Sequence, residues 1–529
     1  MKTIKSLVLG SAAGLLAMSG AQAADLPVKA KAVEYVRICS LYGAGFFYIP
    51  GTDTCLKLGG YLRVDTTFNG NGVQDQPAWS GDTGQGNRYR DYFSTRSRLA
   101  LTVDTRTATG YGVVRTFGQA DFQFDTLGGA TYNPTSINTT SPVGSANLLN
   151  TAGGGYVAVE FAFIQFAGFT FGKSASAYAT PWHGYPGNNT SNLLGGHDTV
   201  TGVSNIQYTA QFGNGVSGTI GLDDPTVFNR TVVQNLSIPL TASLGTANAY
   251  AGVHAPDVVG NIRIDQAWGL FQISAAAHEV NGSYNLLNTV LVPPGATGLA
   301  GAAPIAGSEV SGHPDTKWGG SVMAALNIKN IPTGPGDDIK IDASYSKGDT
   351  KNVIATSGTS PSFAMFGGSG IGAYQSVGFG TTTDAVYLPV ANGGDGSLHL
   401  TEAFGVRGAF NHNWDPYWSS SLFGSYSAVR YDGTAKANIC TNYSTAAKFV
   451  GGVQAFTCNP DYNVSQLGVV TRWTPVKNLT FSAEVQWFHL DQKFSGVATL
   501  GPTAPKPSTV YEFKDQDTFL LQLRAQRNF

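Results

Sequence analysis

Charged side chains recur at alternate positions within otherwise apolar segments of this chain. Arg63 lies between Leu62 and Val64, and Arg96 and Arg98 are two residues apart in the next such segment. Because successive side chains of a β-strand point to opposite faces, this alternation gathers charges on one face and apolar groups on the other. Fixed charges beside a narrow aqueous space change the local concentration of ions of each sign. The candidate residues for this role are Arg63, Arg96, Arg98, Arg115, Glu160 and Asp198.

Catalytic chemistry would need other arrangements, and the familiar ones do not occur in the sequence. There is no G-x-S-x-G nucleophile elbow. The four cysteines lack C-x-x-C spacing and the eight histidines do not cluster with them, which argues against a zinc site. The formal net charge of −2 is too small to indicate nucleic-acid binding. We therefore expect no enzyme activity, no metal and no cofactor.

The segments that would position the charges share one pattern, in which apolar and polar residues alternate over about ten residues. In the first, over residues 56–68, Leu62 and Val64 share one face while Arg63 and Asp65 share the other. We predict sixteen such strands, at 56–68, 91–106, 111–122, 156–167, 168–176, 201–212, 216–224, 257–267, 269–280, 315–329, 337–348, 401–412, 416–431, 461–474, 478–491 and 515–529.

Very short and long connections alternate between these strands. The short ones include Gly213-Asn214-Gly215, Trp268-Gly269, Trp414-Asp415-Pro416 and Pro475-Val476-Lys477, and the long ones 225–256, 281–314, 349–400 and 432–460. This rhythm is typical of barrels that cross a membrane, with one strand face on lipid and one on water. We therefore predict an all-β fold: a 16-stranded antiparallel transmembrane β-barrel with short periplasmic turns and long extracellular loops. A barrel of this size leaves an open aqueous channel.

The composition agrees with a membrane barrel. The chain is 42% hydrophobic but only 12% charged, about half the usual charged fraction of a soluble domain. Beyond the first residues no stretch approaches the length of about 18 apolar residues that a membrane-spanning helix needs. Lumen-facing parity is also shared by residues farther round the predicted wall, namely Arg263, Arg407, Arg472, Glu484 and Arg524. We expect these mainly to keep the lumen hydrated.

Both ends of the chain indicate export. Lys2 and Lys5 precede an apolar run from Leu7 to Met18, and Ala21-Gln22-Ala23 forms a small-residue cleavage site. The last predicted strand ends on Phe529, which resembles the signal by which the assembly machinery recognises bacterial outer-membrane barrels. We expect a signal peptide over residues 1–23, an N-terminal periplasmic-side segment over 24–54 and the barrel over 55–529.

The four cysteines fall into two close pairs, Cys39 with Cys55 and Cys440 with Cys458. Pairing by proximity is one of three possible connectivities. Disulfides are the usual state of cysteines in an oxidising periplasm, so we expect these two bonds, with free buried thiols as the alternative.

Several motifs resemble the alphaproteobacterial general-porin family. They are Val33-Glu34-Tyr35-Val36 with Cys39, the run from Tyr42 to Tyr61, the run from Ala162 to Ser174, and Pro475-Val476-Lys477-Asn478-Leu479. The resemblance implies a trimeric barrel in the outer membrane of a Gram-negative bacterium, surrounded by its lipid and lipopolysaccharide. It also implies passive diffusion of ions and small hydrophilic solutes, and a constriction loop folded into the lumen. That loop corresponds here to about residues 174–200, in which Asp198 is the only acidic residue.

Two expectations about function follow. The arginine cluster and the acid-poor loop predict a weak preference of the pore for anions. The length of the outer loops leaves open a substrate-specific channel, for a sugar or an anion, as the alternative to a general diffusion pore. A barrel enzyme of the lipase or protease type and an adhesin without conductance are the more distant alternatives.

Overall fold

The sixteen alternating segments form sixteen antiparallel barrel strands in the computed structural model, which confirms the predicted fold class. The structure describes residues 37–529 except 71–75, 81–83, 89, 91, 126–154, 198–199, 227–229, 238–247, 286–308, 358–359, 369–370, 446–448 and 503–505. The predicted signal peptide over residues 1–23 therefore lies outside the described residues. No helix among those described is long and apolar enough to span a membrane.

Each barrel strand pairs with its neighbours along the chain, and the last strand pairs with the first, so that the sheet closes. The strands are β1 (Thr54–Phe68), β2 (Phe93–Thr109), β3 (Gly112–Asp125), β4 (Tyr156–Phe166), β5 (Phe169–Ser174), β6 (Val203–Gly213), β7 (Val216–Asp223), β8 (Asp257–Gln266), β9 (Gly269–Val280), β10 (Lys317–Lys329), β11 (Asp338–Lys347), β12 (Glu402–Asn413), β13 (Trp418–Arg430), β14 (Tyr462–Val476), β15 (Leu479–Gln492) and β16 (Gln516–Asn528).

The alternation along β1 separates the two faces of the wall as predicted. Leu58, Leu62 and Val64 are 59%, 50% and 42% exposed on the outside, whereas Asp65, on the inside, is 1% exposed. Apolar side chains that would be unfavourable in water are expected on a surface covered by lipid. The outer face of β1 is thus suited to a hydrocarbon environment.

Two-residue turns join several of the strands at one end of the barrel. Asn214 and Gly215, between β6 and β7, have φ of 49° and 74°, and a type I′ turn requires positive φ at both of its central residues. The predicted turn at Pro475-Val476-Lys477 is displaced in the structure. Because Val476 still pairs with Leu479, β14 extends to Val476 and the chain reverses at Lys477 and Asn478.

A disulfide fastens the N-terminal segment to the start of β1. Cys39 and Cys55 are bonded, and the short strand Phe47–Tyr48 pairs with β1 at Leu56 and Cys55. The last strand does not reach this part of β1, because its pairing begins at Tyr61. The N-terminal segment thus covers an edge that would otherwise be left with unpaired backbone groups.

The long connections on the opposite side fold into sheets, whereas the sequence led us to expect loops. One five-stranded sheet contains Phe363–Phe366, Gln375–Gly380, Thr509–Phe513, Ser495–Leu500 and Phe449–Thr457, and a three-stranded sheet contains Val233–Asn235, Ala385–Tyr387 and His399–Leu400. Helix α1 (Gly433–Thr445) is joined to the first sheet by the second disulfide, Cys440–Cys458. Short 3-10 helices lie at Ser40–Tyr42, Glu309–Ser311, Thr350–Asn352 and Val390–Asn392. We call the described parts of residues 360–400, 431–461 and 493–515 the cap.

The cap has a hydrophobic core that continues onto the inner wall of the barrel. Tyr462, Val464, Phe488 and Leu490, which point inward from β14 and β15, are each 0% exposed beneath it. Trp79, from the connection between β1 and β2, packs into the same core, with its ring centroid 5.0 Å from that of Phe488. The upper lumen beside β14 and β15 is therefore filled with packed apolar side chains.

Replacing Trp79 with Ala should loosen the cap without opening the barrel. Truncation of a large buried aromatic side chain costs about 3–5 kcal/mol in well-packed cores. Hydrogen exchange should accelerate at the amides of Phe363–Phe366, whose Ala364 N–H donates to the Trp79 carbonyl oxygen. Trp318→Ala is the matched control, because Trp318 is 54% exposed. Equal protection of the cap amides in both variants would contradict the packing role of Trp79.

Candidate functional site

The connection from β5 to β6 folds into the lumen and crosses it. On one side, Asn261 of β8 donates to the Ala177 carbonyl oxygen at 2.6 Å, and Gln272 of β9 donates to the Ala179 carbonyl oxygen at 2.7 Å. Wall strands thus hold this segment by side-chain donors aimed at its backbone. We call residues 175–202 the constriction loop.

Arg407, on the inward face of β12, anchors the middle of the constriction loop. Its guanidinium forms an ion pair with Asp342 at 3.0 Å, and both side chains are 0% exposed. It also donates to the carbonyl oxygens of Leu193, at 3.2 Å, and of His197. The approach is so close that a Cβ on Gly196 would lie 2.2 Å from an Asp342 carboxylate oxygen. The backbone at Gly196 therefore has room for no side chain.

A second anchor joins the constriction loop to β14, β15 and β16. The Glu484 carboxylate accepts hydrogen bonds from the Asn189 N–H and the Thr190 hydroxyl. Arg524 donates to the Asn189 carbonyl oxygen at 2.9 Å, and Arg472 donates to the Asn189 side chain at 3.2 Å. Three of the wall charges that we expected mainly to hydrate the lumen therefore hold the loop instead.

Between the constriction loop and the wall of β1 to β4 lies a cavity of about 610 Å³. The candidate residues Arg63, Arg96, Arg98 and Glu160 line it together, as do Asp121 and the loop residues His183 and Tyr185. Four of the six residues predicted from sequence thus meet at one place. Arg115 does not line this cavity, and Asp198 lies outside the described residues.

Arg96 is neutralised by Asp65. Its Nε donates to the Asp65 carboxylate at 2.9 Å, and the two side chains are 3% and 1% exposed. The same carboxylate pairs with Arg524 at 2.6 Å. Asp65 therefore links the first, second and last strands across the closure of the barrel, and Arg96 presents little of its charge to the lumen.

Arg98 faces the acidic side of the cavity. It lies 2.8 Å from Asp121 and 4.0 Å from Glu160. Glu160 reaches this position through a β-bulge, since Val159 pairs with Ala120 and Phe161 with Gln119, which leaves Glu160 without an opposite residue. A bulge re-aims the side chains that follow it. Here it places Glu160 and Phe161 on the inward face in succession.

Arg63 is the arginine of this wall that keeps its charge available. Within the part of the chain that the structure describes, no carboxylate oxygen lies within 4.0 Å of its guanidinium. Its Nε donates to the Gln526 side chain at 2.8 Å, and its guanidinium stacks over the Tyr61 ring at 4.5 Å. A neutral amide and an aromatic face orient the group without cancelling its charge.

The remaining candidates have separate surroundings. Arg115 pairs with Asp104 at 3.0 Å and donates to Gln165 at 2.9 Å, nearer the short-turn end of the barrel.

No group of three or more metal-binding side chains is present among the residues that the structure describes. The sequence did not reveal the anchoring role of Arg407, Arg472 and Glu484. Alternation along their strands indicated that these side chains point inward, but it could not indicate that they bind the constriction loop.

Comparisons with known proteins agree with this architecture. A family model described as "Porin subfamily" (Porin_2) matches residues 25–521. Porin Omp2b of Brucella abortus (strain 2308) is 31% identical over 385 residues, covering 66% of this chain and 95% of that protein. Porin Omp2b of Brucella neotomae is 34% identical over 269 residues, covering 50% of this chain and 63% of that protein.

A solved structure also shares the fold. The outer membrane channel DcaP of Acinetobacter baumannii matches with a TM-score of 0.51 and 15% identity, over 91% of this chain and 99% of that chain. At this identity the match supports the barrel architecture alone.

Replacing Arg407 with Ala should strongly destabilise the folded protein. The change leaves the Asp342 charge buried without its partner, and breaking one side of a buried ion pair costs about 3–5 kcal/mol. Denaturant unfolding of the detergent-solubilised barrel would measure the loss. Arg263→Ala is the control, because Arg263 also donates to the constriction loop but is 35% exposed in its ion pair with Asp265. A loss no larger than that of the control would show that Arg407 is not an anchor.

Acidification should destabilise the protein partly through His197 of the constriction loop. Burial lowers the pKa of His197 to about 3. The hydrogen bond from its Nδ1–H to Asn352 opposes this lowering of the pKa, and the positive charges of Lys351 and Arg407 add to it. In the unfolded chain the pKa is about 6.5, so between these values the unfolded state binds the extra proton. The free energy of unfolding should therefore fall as the pH drops from about 6.5 towards 3.

The variant His197→Gln isolates this effect, because glutamine keeps a donor but does not titrate. The loss of stability between about pH 7 and about pH 4 should be smaller in the variant than in the parent protein. Unfolding midpoints at the two pH values would give the comparison. Identical losses would mean that His197 takes up its proton equally in both states.

Proposed function

Because this chain belongs to the Porin subfamily and forms passive channels across the bacterial outer membrane, we propose that the cavity beside Arg63 is its selectivity-determining constriction. The proposal is that this constriction gives a weak preference for anions. The observation that carries it is the unpaired guanidinium of Arg63 at the wall of the cavity. The other fixed charges there are largely balanced within the protein.

The charge balance around the cavity supports the sign of the preference. Six basic residues line it, namely Arg63, Arg96, Arg98, Lys173, Arg472 and Arg524, against the acids Asp121 and Glu160. Two further acids are close to this set: Asp65 pairs with Arg96 and Arg524, and Glu484 accepts hydrogen bonds from the constriction loop. A positive excess remains even when these two are counted. Walls of low dielectric constant concentrate its field in the narrow zone.

The cap favours a second candidate function. Apolar side chains fill the upper lumen on the side of β14 and β15, so a solute must enter along a restricted path. A substrate-specific channel for a sugar or an anion would use such a filter. Solute competition during single-channel recording separates the two functions: saturable block by one solute class favours the specific channel, and its absence favours general diffusion.

We also propose that the protein is a trimer. The apolar outer surface of β1, which includes Leu58, Leu62 and Val64, can contact either lipid or another copy of the chain.

Lipopolysaccharide and the assembly machinery that would recognise Phe529 are further proposed partners. The Phe529 N–H donates to the Gly60 carbonyl oxygen at 3.0 Å, and the Gly60 N–H donates to the Phe529 carbonyl oxygen at 3.2 Å. Phe529 therefore extends the backbone pairing between the last and first strands.

Native gels test the trimer directly. An unheated sample in mild detergent should migrate at three times the chain mass and dissociate on heating, because interfaces between apolar barrel walls persist in the detergent. Chemical cross-linking should give the same stoichiometry. Recovery of monomer alone from both methods would exclude a stable trimer.

Replacing Arg63 with Gln should shift the reversal potential under a salt gradient towards cations. The side chain keeps a similar size, but the uncompensated charge at the cavity is removed. Arg115→Gln is the matched control, because it makes the same change of net charge at an arginine outside the cavity. The shift should be larger at about 0.1 M salt than at about 1 M, where the Debye length falls from about 10 Å to about 3 Å.

Equal shifts of the reversal potential in the two variants would mean that the overall charge of the protein determines selectivity. An unchanged reversal potential in both variants would mean that Arg63 does not act at the constriction. The original candidates Arg96 and Arg98 are less direct tests. Each is paired with a carboxylate, so its removal also leaves Asp65 or Asp121 in a changed environment.

A further inference from the structure

The chain that follows β11 is buried although it belongs to the outer connections. All eight residues from Asp349 to Thr356 are between 0% and 6% exposed. Their sequence, DTKNVIAT, contains five polar residues. Buried polar groups need hydrogen-bond partners, so such a segment is stable only where its surroundings supply them. We call residues 349–357 the bridging segment.

On its inner side the bridging segment contacts the constriction loop along several residues. The Gly195 N–H donates to the Val353 carbonyl oxygen at 2.8 Å, and Gly196 forms a parallel β-bridge with Ile354. His197 donates its Nδ1–H to the Asn352 side-chain oxygen at 2.6 Å. The two segments therefore run side by side, joined by backbone and side-chain hydrogen bonds.

Apolar contact and a second pair of hydrogen bonds reinforce this junction. Leu194 of the loop and Val353 and Ile354 of the bridging segment are each 0% exposed in one hydrophobic cluster. Farther along, Ser357 N–H donates to the Ser191 carbonyl oxygen at 3.4 Å, and the Thr201 hydroxyl donates to the Ser357 carbonyl oxygen at 3.3 Å. Contacts therefore extend over much of the second half of the loop.

On its other sides the bridging segment is attached to the wall and to the cap. Asn352 donates to the Ser321 hydroxyl of β10 at 2.7 Å. The Thr350 N–H donates to Asp384 in the cap at 2.7 Å, and the Gln76 side chain donates to the Thr356 hydroxyl at 3.0 Å. Asn352 is thus the residue at which the constriction loop, the bridging segment and the wall meet.

We propose that the bridging segment positions the constriction loop, so that an outer connection of the protein determines the cross-section of the pore. The proposal rests on the proposed function, in which this loop borders the constriction. Side chains of the barrel wall, namely those of Arg407, Arg472 and Glu484, hold one side of the constriction loop. The bridging segment, which belongs to the connection after β11, holds its other side. If its contacts are removed, the Gly195 N–H and the His197 Nδ1–H lose their buried acceptors, and leaving a buried donor unpaired is unfavourable. The loop then shifts until these groups find water or new acceptors.

The variants Asn352→Ala and His197→Ala test this from the two ends of one hydrogen bond. Both should raise the single-channel conductance in planar bilayers and let larger sugars enter in liposome swelling. The double variant should change the conductance no more than the larger single change, because both remove the same link. Asn442→Ala is the control, since Asn442 of α1 donates to the Leu236 carbonyl oxygen, away from the constriction loop.

Conductance and size limit that match the unaltered protein in both single variants would overturn the proposal, as would an equal change in Asn442→Ala. If Asn352→Ala does not give a heat-modifiable barrel, Asn352→Ser carries the same test, because serine is too short to reach His197 and Ser321 together. An unaltered protein without any conductance would count against the channel function instead. A conducting protein with unchanged variants would count against the bridging role alone.

Discussion

Closure of the sheet is the constraint on which the rest of the molecule depends. In lipid, backbone N–H and C=O groups have no water to bond, so every strand needs a partner on both edges. Here the pairing of β1 with β16 removes the last two edges, and it extends to the terminal residue through the bonds between Gly60 and Phe529. Asp65 adds an electrostatic link across the same junction, because it pairs with both Arg96 and Arg524. The first and last strands are thereby joined by backbone and by charge.

A closed wall of this size leaves a wide interior, and the protein fills much of it with its own connections. Charged side chains on the inward face would be costly to bury without partners. The constriction loop supplies those partners. Its backbone carbonyl oxygens accept hydrogen bonds from Arg407 and Arg524, and one of its N–H groups donates to Glu484. Most of these inward charges therefore have a structural partner, and Arg63 is the clearest exception on the wall beside the cavity. In the proposed function, these remaining charges determine the selectivity of the pore.

The positions of the barrel strands could be predicted from sequence because each has two environments that differ sharply, and a period of two residues records that difference. The same reasoning failed where the period breaks or where contacts are distant in sequence. The bulge at Glu160 reverses the parity of β4, and strict alternation cannot show it. Alternation along β1 and β2 indicated that Asp65 and Arg96 both point inward, but it did not indicate that they form an ion pair. The cap was missed because its strands lie inside Gly-rich connections, although the alternation of Phe363 with Met365 and of Val377 with Phe379 was a usable signal.

Trp79 has a consequence for the order in which the molecule can be completed. It comes from the connection after the first barrel strand, yet its ring packs against Phe363 and against Phe488 of the penultimate strand. Contacts between residues so far apart in the chain form late, because a long loop must first be closed. The cap core can mature only once the C-terminal strands have joined the wall. The packed state of the Trp79 ring is therefore a property of the completed barrel and not of its first strands alone.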